Sequence, residues 1–181
     1  TRGLIEVQLE QRHMLEGTTL HTMSPRDEIE IGPFTVEPYH VCHSIPDTVG
    51  LGITTPEGLI VHSGDFKFDH TPVDGWPTDY AKLAEFTGRG VLLLLSDSTN
   101  ADTPGRTASE AALYDAFHQI MRQAPGRLIV ATFASLISRI QQVVDVAAEY
   151  NRKFAVAGRS MVENTAMARR LGYLDIPDEM M

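Results

Sequence analysis

His43 and Asp65 are the two residues whose types and spacing most directly suggest chemistry. They flank a stretch, HSIPDTVGLGITTPEGLIVHSGD, in which two extended apolar runs, VGLGITT and LIVHSG, are joined by the turn Pro56-Glu57-Gly58. Such a pattern predicts a β-hairpin. In an antiparallel pair, the start of one strand and the end of the next fall at the same end of the sheet. An imidazole and a carboxylate are thereby brought together, and these are two of the usual ligands of a hydrolytic zinc ion. Taken by spacing alone, a strand-end histidine is more often a hydrogen-bonded structural residue, and an aspartate after glycine more often a turn former.

A second acidic candidate is Asp97, which taken by itself reads as a turn or cap residue. It stands where the continuous apolar run GVLLLL breaks into SDSTN, which predicts a strand buried on both faces with polar groups at its carboxyl end. Further on, RLIVATF leads through Ala134-Ser135 into a helix, and KFAVAG leads through Gly158-Arg159-Ser160 into another. Helix amino termini expose unpaired N–H groups that suit an anion, and Ser or Arg there adds donors. Ser135 and Ser160 serve equally as N-caps. The other histidines are assigned less: His62 packs or hydrogen-bonds near the site, and His13, His21 and His70 carry no partner motif. Asp47, after Pro46, is a turn residue or a brace for His43.

The elements that must position these groups fall into two styles. Residues 1–42 read as strands, LIEVQLE, EIEIG and FTVEPYHV, alternating apolar and polar with Gly17, Pro25 and Gly32-Pro33 at the breaks. The hairpin, a loop rich in Pro, Gly and Asp, the short helix TDYAKLAEF and the GVLLLL strand follow. After ADTPGRT, a capping box at Thr107-Ala-Ser-Glu110 predicts a helix start. From there helices SEAALYDAFHQIMRQA, LISRIQQVVDVAAEY and SMVENTAMARRLG alternate with strands RLIVATF and KFAVAG, the rhythm of a parallel βαβ sheet. The fold class is therefore α/β, a sandwich-like part followed by a parallel part, with domains 1–107 and 108–181.

Charge divides at the same place. The net charge is −9; residues 1–107 hold 7 Lys/Arg against 16 Asp/Glu, whereas residues 108–181 hold 8 of each. Overall charge neither supports nor excludes a nucleic acid, because bound divalent cations invert the local sign. A single cysteine, Cys42, excludes an intramolecular disulfide and fits a reducing cytoplasm. Strand alternation points it away from His43, into packing. No apolar run is long enough for a membrane span, and the chain does not open on a signal peptide.

HSIPD, TPEGLIVHSGDFKFDHTPVDG and LLSDSTNADTPGRT together resemble the ribonuclease J family, RNA-degrading members of the metallo-β-lactamase superfamily that carry an inserted β-CASP domain. The resemblance runs from TRGLIE to GYLDIP. It implies that His43 is a zinc ligand, that Asp65 bridges two zinc ions, and that Asp97 is an acidic group beside them. It implies an RNA substrate clamped by the β-CASP part, with Thr132, Ser135, Arg159 and Ser160 as backbone contacts. Leu136 and Ser138 stand where many relatives carry Asn and His, a departure that bears on those contacts. Cytoplasmic RNA processing, 5′-exonuclease or endonuclease action and a homo-oligomer are further implications. The family's HxHxDH motif and its later histidines do not occur in the chain, which reads as an internal fragment, inactive alone. Two other readings stay open: another metallo-β-lactamase-fold hydrolase, against which the βαβ segment speaks, and a non-catalytic RNA-binding scaffold.

Overall fold

A computed structural model describes residues 2–181. In chain order the elements are α1 (Arg2–Gln11), β1 (Ile29–Ile31), β2 (Phe34–His40), β3 (Val49–Thr55), β4 (Gly58–His62), α2 (Tyr80–Arg89), β5 (Val91–Leu95), α3 (Ala112–Gln123), α4 (Ile137–Glu149) and α5 (Arg159–Arg170), followed by a 3₁₀ turn at Asp178–Met180. The chain is a mixed α/β protein of two compact units. One comprises His21–His43 and Asp47–Ser109; the other comprises the residues up to Leu20, Ser44–Pro46 and Glu110–Met181.

The first unit is built on a five-stranded sheet in the order β1-β2-β3-β4-β5. Its first four strands pair antiparallel, and β5 adds parallel to β4 after the crossover through α2. The core is Tyr39, Val41, Leu59, Val61 and Phe86, with Phe66 and Leu83 packed against it. Tyr39 lies directly opposite Gly50 in the β2–β3 register, and its ring meets Phe86 edge-on at 5.7 Å. The two glycines of VGLGITT thus leave space over β3 for two aromatic rings.

Helix α2 starts at the N-cap Asp79, whose carboxylate accepts the Lys82 N–H. It is fastened to β2 by ion pairs from Lys82 Nζ (2.9 Å) and Arg89 (2.6 Å) to Glu37. Burial alone would raise the Glu37 carboxyl, but hydrogen bonds from Lys82 and Arg89 outweigh it, and the group ionises below its ordinary 4.5. A carboxyl whose folded value is depressed adds stability that is complete above its unfolded value and vanishes as the pH falls through the folded one. Glu37→Gln is therefore expected to lower the unfolding midpoint near neutrality. The midpoints of variant and parent should converge only in acid, once the pH has fallen through the depressed folded value and the parent carboxyl is itself protonated. A thermal melt series against pH checks this, and a gap that persists in acid would refute it.

Four expectations from the sequence are corrected. LIEVQLE is helical: Gly3, Leu4 and Val7 share a covered side at helical spacing while Ile5 is exposed, and Arg2 pairs with Glu6 one turn on. The strand GVLLLL forms, but all five residues of β5 are exposed: it pairs only with β4, and none of its side chains belongs to a buried cluster. Thr107 caps nothing: α3 begins at Ala112, and Glu110 instead ion-pairs with Arg139 while its carbonyl accepts from Gln142.

The fourth correction concerns the second unit. Its core, Met121, Ile137, Ile140, Val144, Val146, Ala147, Ala168, Leu174 and Ile176, is made by α3, α4, α5 and the C-terminal segment. RLIVATF and KFAVAG run between these helices without joining a sheet. A strand exists only where a neighbour completes its ladder. Here Ile129 and Phe133 are exposed, the Phe154 N–H goes to the Met180 carbonyl, and Arg152 fills the carbonyls of Met121, Ala124 and Gly126.

Candidate metal centre

The alternation of strand directions decides where the site can be. With β2, β3 and β4 antiparallel in turn and β5 parallel to β4, the ends of β2, β4 and β5 all fall at one end of the sheet. His43 lies three residues past β2, Asp65 three past β4 and Asp97 two past β5. The sheet thus delivers all three predicted residues to a common edge. His43 Nε2 stands 4.0 Å from Asp65 Oδ2, with the imidazole mostly covered and the carboxylate 78% exposed. The Lys67 N–H donates to the Cys42 carbonyl at 2.7 Å, so the segment leaving Asp65 is tied to the one entering His43. Cys42 itself is buried, in packing.

Asp65 owes its direction to the turn His62-Ser63-Gly64. Gly64 has φ +62°, and a Cβ there would lie 2.7 Å from the Val49 carbonyl oxygen, so the turn admits no side chain at that point. The Gly64 N–H donates to His62 Nδ1 at 3.0 Å, which fixes that nitrogen as an acceptor. His62 therefore shapes the turn from outside the Asp65–His43 pair.

Asp97 is bound up with the same turn. Its carboxylate accepts the Thr99 N–H (2.9 Å) and hydroxyl (2.7 Å). Its N–H donates to the Ser63 hydroxyl at 2.8 Å. The Thr99 amide and then the Thr99 hydroxyl outweigh burial and hold its carboxyl below the usual aspartate value, with lesser help from the nearby Phe66 amide and His43. Asp97 is thus an anion beside His43. Ser63, which sequence reasoning passed over, joins the two acidic segments; a serine between a strand-end histidine and a glycine was the only sign of it.

The donor set, an imidazole and a solvent-facing carboxylate, suits zinc. Among the described residues no group of three His, Cys, Asp or Glu is placed to hold a metal ion, whereas a catalytic zinc takes roughly three protein ligands. His43 and Asp65 fit as part of a centre and do not make a complete one.

The four anion-site residues lie in the second unit. Thr132 and Ser135 are half-buried on the stretch before α4; Arg159 and Ser160 are exposed at the first positions of α5, with Arg159 paired to Glu163. Neither serine caps its helix: the N-cap positions are Leu136 and Gly158, and neither helix has a side-chain cap bond.

Residues 125–181 match the family model of the ribonuclease J β-CASP domain. Across most of the chain the similarity is to proteins named ribonuclease J. It is 48% identical to that of Synechocystis over 98% of this chain and 28% of the relative. It is 45% identical to that of Thermus thermophilus over 99% and 32%, and 49% identical to that of Helicobacter pylori strain J99 over 84% and 22%. A crystal structure of a protein of unknown function from Enterococcus faecalis shares the fold, with a TM-score of 0.63 at 18% identity, covering 87% of this chain and 36% of that one. The chain spans about a third or less of the length of these relatives. Over most of its length the chain is thus similar, at 45–49% identity, to proteins named ribonuclease J, and its residues 125–181 match the β-CASP domain of that family.

Proposed function

We propose that the whole protein to which this chain belongs is a metal-dependent ribonuclease that hydrolyses RNA phosphodiester bonds with a water activated by two zinc ions. The observation that carries the reading is the His43–Asp65 pair, 4.0 Å apart at the sheet edge, in a chain so similar to proteins named ribonuclease J. Residues 1–107 are then part of a metallo-β-lactamase domain and residues 108–181 part of the β-CASP domain. When bound, two zinc ions supply a hydroxide for in-line attack and positive charge for the phosphate oxygens. His43 offers its Nε2 lone pair, and Asp65 offers two oxygens able to span two cations. Asp97 stays ionised beside His43 and is tied through Ser63 to the turn that carries Asp65. Thr132, Ser135, Arg159 and Ser160 contact the RNA backbone, the last two through the uncapped start of α5. Action from the 5′ end, internal cleavage, a cytoplasmic place in RNA processing and a homo-oligomer belong to the same reading. Among the described residues no helix is long and apolar enough to cross a membrane.

Cleavage of a labelled single-stranded RNA by the whole protein, before and after chelation and after zinc is restored, tests the proposal. Unchanged cleavage by the chelated protein would refute it. The two-donor geometry makes a separate prediction for the 181-residue chain: it binds fewer than two zinc ions tightly and cuts no RNA. Equilibrium dialysis with zinc, beside the same cleavage assay, checks this; two tightly bound ions would show that the chain completes the centre by itself.

A further inference from the structure

We propose that Ser63 is a positioning residue for the candidate centre, coupling the Asp65 turn to Asp97. This rests on the hydrolase reading above. Ser63 is 9% exposed and makes three bonds in three directions. Its N–H donates to the Leu95 carbonyl at 2.9 Å, which continues the β4–β5 ladder one step past the strands. Its hydroxyl donates to the Gly64 carbonyl at 2.7 Å and accepts the Asp97 N–H at 2.8 Å.

Ser63 therefore ties the turn that carries Asp65 to the segment that carries Asp97. The Asp65 carboxylate takes no part in these bonds and faces solvent and His43. One atom, Ser63 Oγ, both donates and accepts in this link. Alanine has no such atom, whereas threonine retains it. Without Oγ the part-buried Asp97 N–H loses its acceptor and the Gly64 carbonyl loses a donor, so both carboxylate-bearing segments are released at once. The hairpin core is untouched, because Ser63 lies beyond the end of β4 and outside the Tyr39–Phe86 cluster.

The experiment uses the whole protein with Ser63→Ala and Ser63→Thr. Amide hydrogen exchange on the metal-free forms reads the Ser63–Asp97 link directly. Exchange at Asp97 is expected to be faster in Ser63→Ala and to return to the parent rate in Ser63→Thr, with unfolding midpoints showing all three forms folded. In zinc-loaded protein, Ser63→Ala is expected to lower kcat about 10–100-fold with KM for single-stranded RNA nearly unchanged, the size typical of a lost partner behind a ligand. Ser63→Thr is expected to recover most of it. Unaltered exchange at Asp97 in Ser63→Ala overturns the proposal whatever the activity, and so does an unaltered kcat. If the parent protein with zinc cuts no RNA, the ribonuclease reading fails, and the exchange comparison still decides the Ser63–Asp97 link.

Discussion

In the whole protein, Asp65→Ala is expected to slow RNA cleavage by more than about 100-fold and to lower bound zinc, while the unfolding midpoint stays close to that of the parent. The lower bound follows because losing a group behind a metal ligand already costs about 10–100-fold, and Asp65 is proposed as a ligand itself. The unchanged midpoint follows from exposure: the side chain is 78% open to solvent, and its turn is fixed by Gly64 and Ser63 instead. Asp65→Asn separates shape from charge, since the amide keeps one acceptor oxygen but cannot neutralise a cation; it should bind metal weakly and remain slow. His43→Ala should resemble Asp65→Ala in metal content and rate. A metal-content assay beside single-turnover cleavage is decisive. Asp65→Ala protein with full zinc and a parental rate would remove Asp65 from the centre, and the proposed mechanism with it.

The sequence made this neighbourhood legible because its parts are local. A hairpin with a tight turn and two flanking residues fixes which sheet end each side chain reaches, and the β2–β3–β4 order bears this out. Asp97 stood out as a polar break after a long apolar run, but by itself that break reads as a turn or cap residue, and its place beside His43 came only from the resemblance. What escaped depended on partners far away in sequence. LIEVQLE alternates well enough for a strand, but Leu4 and Val7 also share a helical face, and in its own unit α1 packs beside α5, with Gly3 close to Met167 and Leu171. The GVLLLL run reveals apolarity and says nothing of whether β5 has a second neighbour. The capping pattern at Thr107–Glu110 competed with an ion pair to Arg139, 29 residues on, which no local window contains. Ser63 escaped because its role needs Asp97, 34 residues away.

The glycines of this fold give a sharper test of such long-range reasoning, because two Gly→Ala changes are expected to have opposite signs. At Gly52, a Cβ would lie 2.3 Å from Phe86 Cζ, far inside contact distance. Phe86 is 1% exposed and carries the cation–π contacts of Lys82 and Arg89, 5.0 Å and 5.5 Å from its ring centre. It also stands edge-on to Tyr39, whose own ring occupies the space over Gly50. The ring therefore cannot retreat without disturbing either the other aromatic or the α2–Glu37 ion pairs. Gly52→Ala should destabilise the chain by about 1–3 kcal/mol, the usual cost of overfilling a packed core. Gly88 has the same chemistry and a different setting: it lies within α2, and a Cβ there meets no atom within 4 Å. Gly88→Ala should stabilise by about 0.5–1 kcal/mol, because alanine loses less backbone freedom on entering a helix. Urea denaturation of the two variants beside the parent measures both. A Gly52→Ala chain as stable as the parent would mean that the Phe86 ring does not lie over β3 as described, and α2 would then lose its main apolar anchor on the sheet.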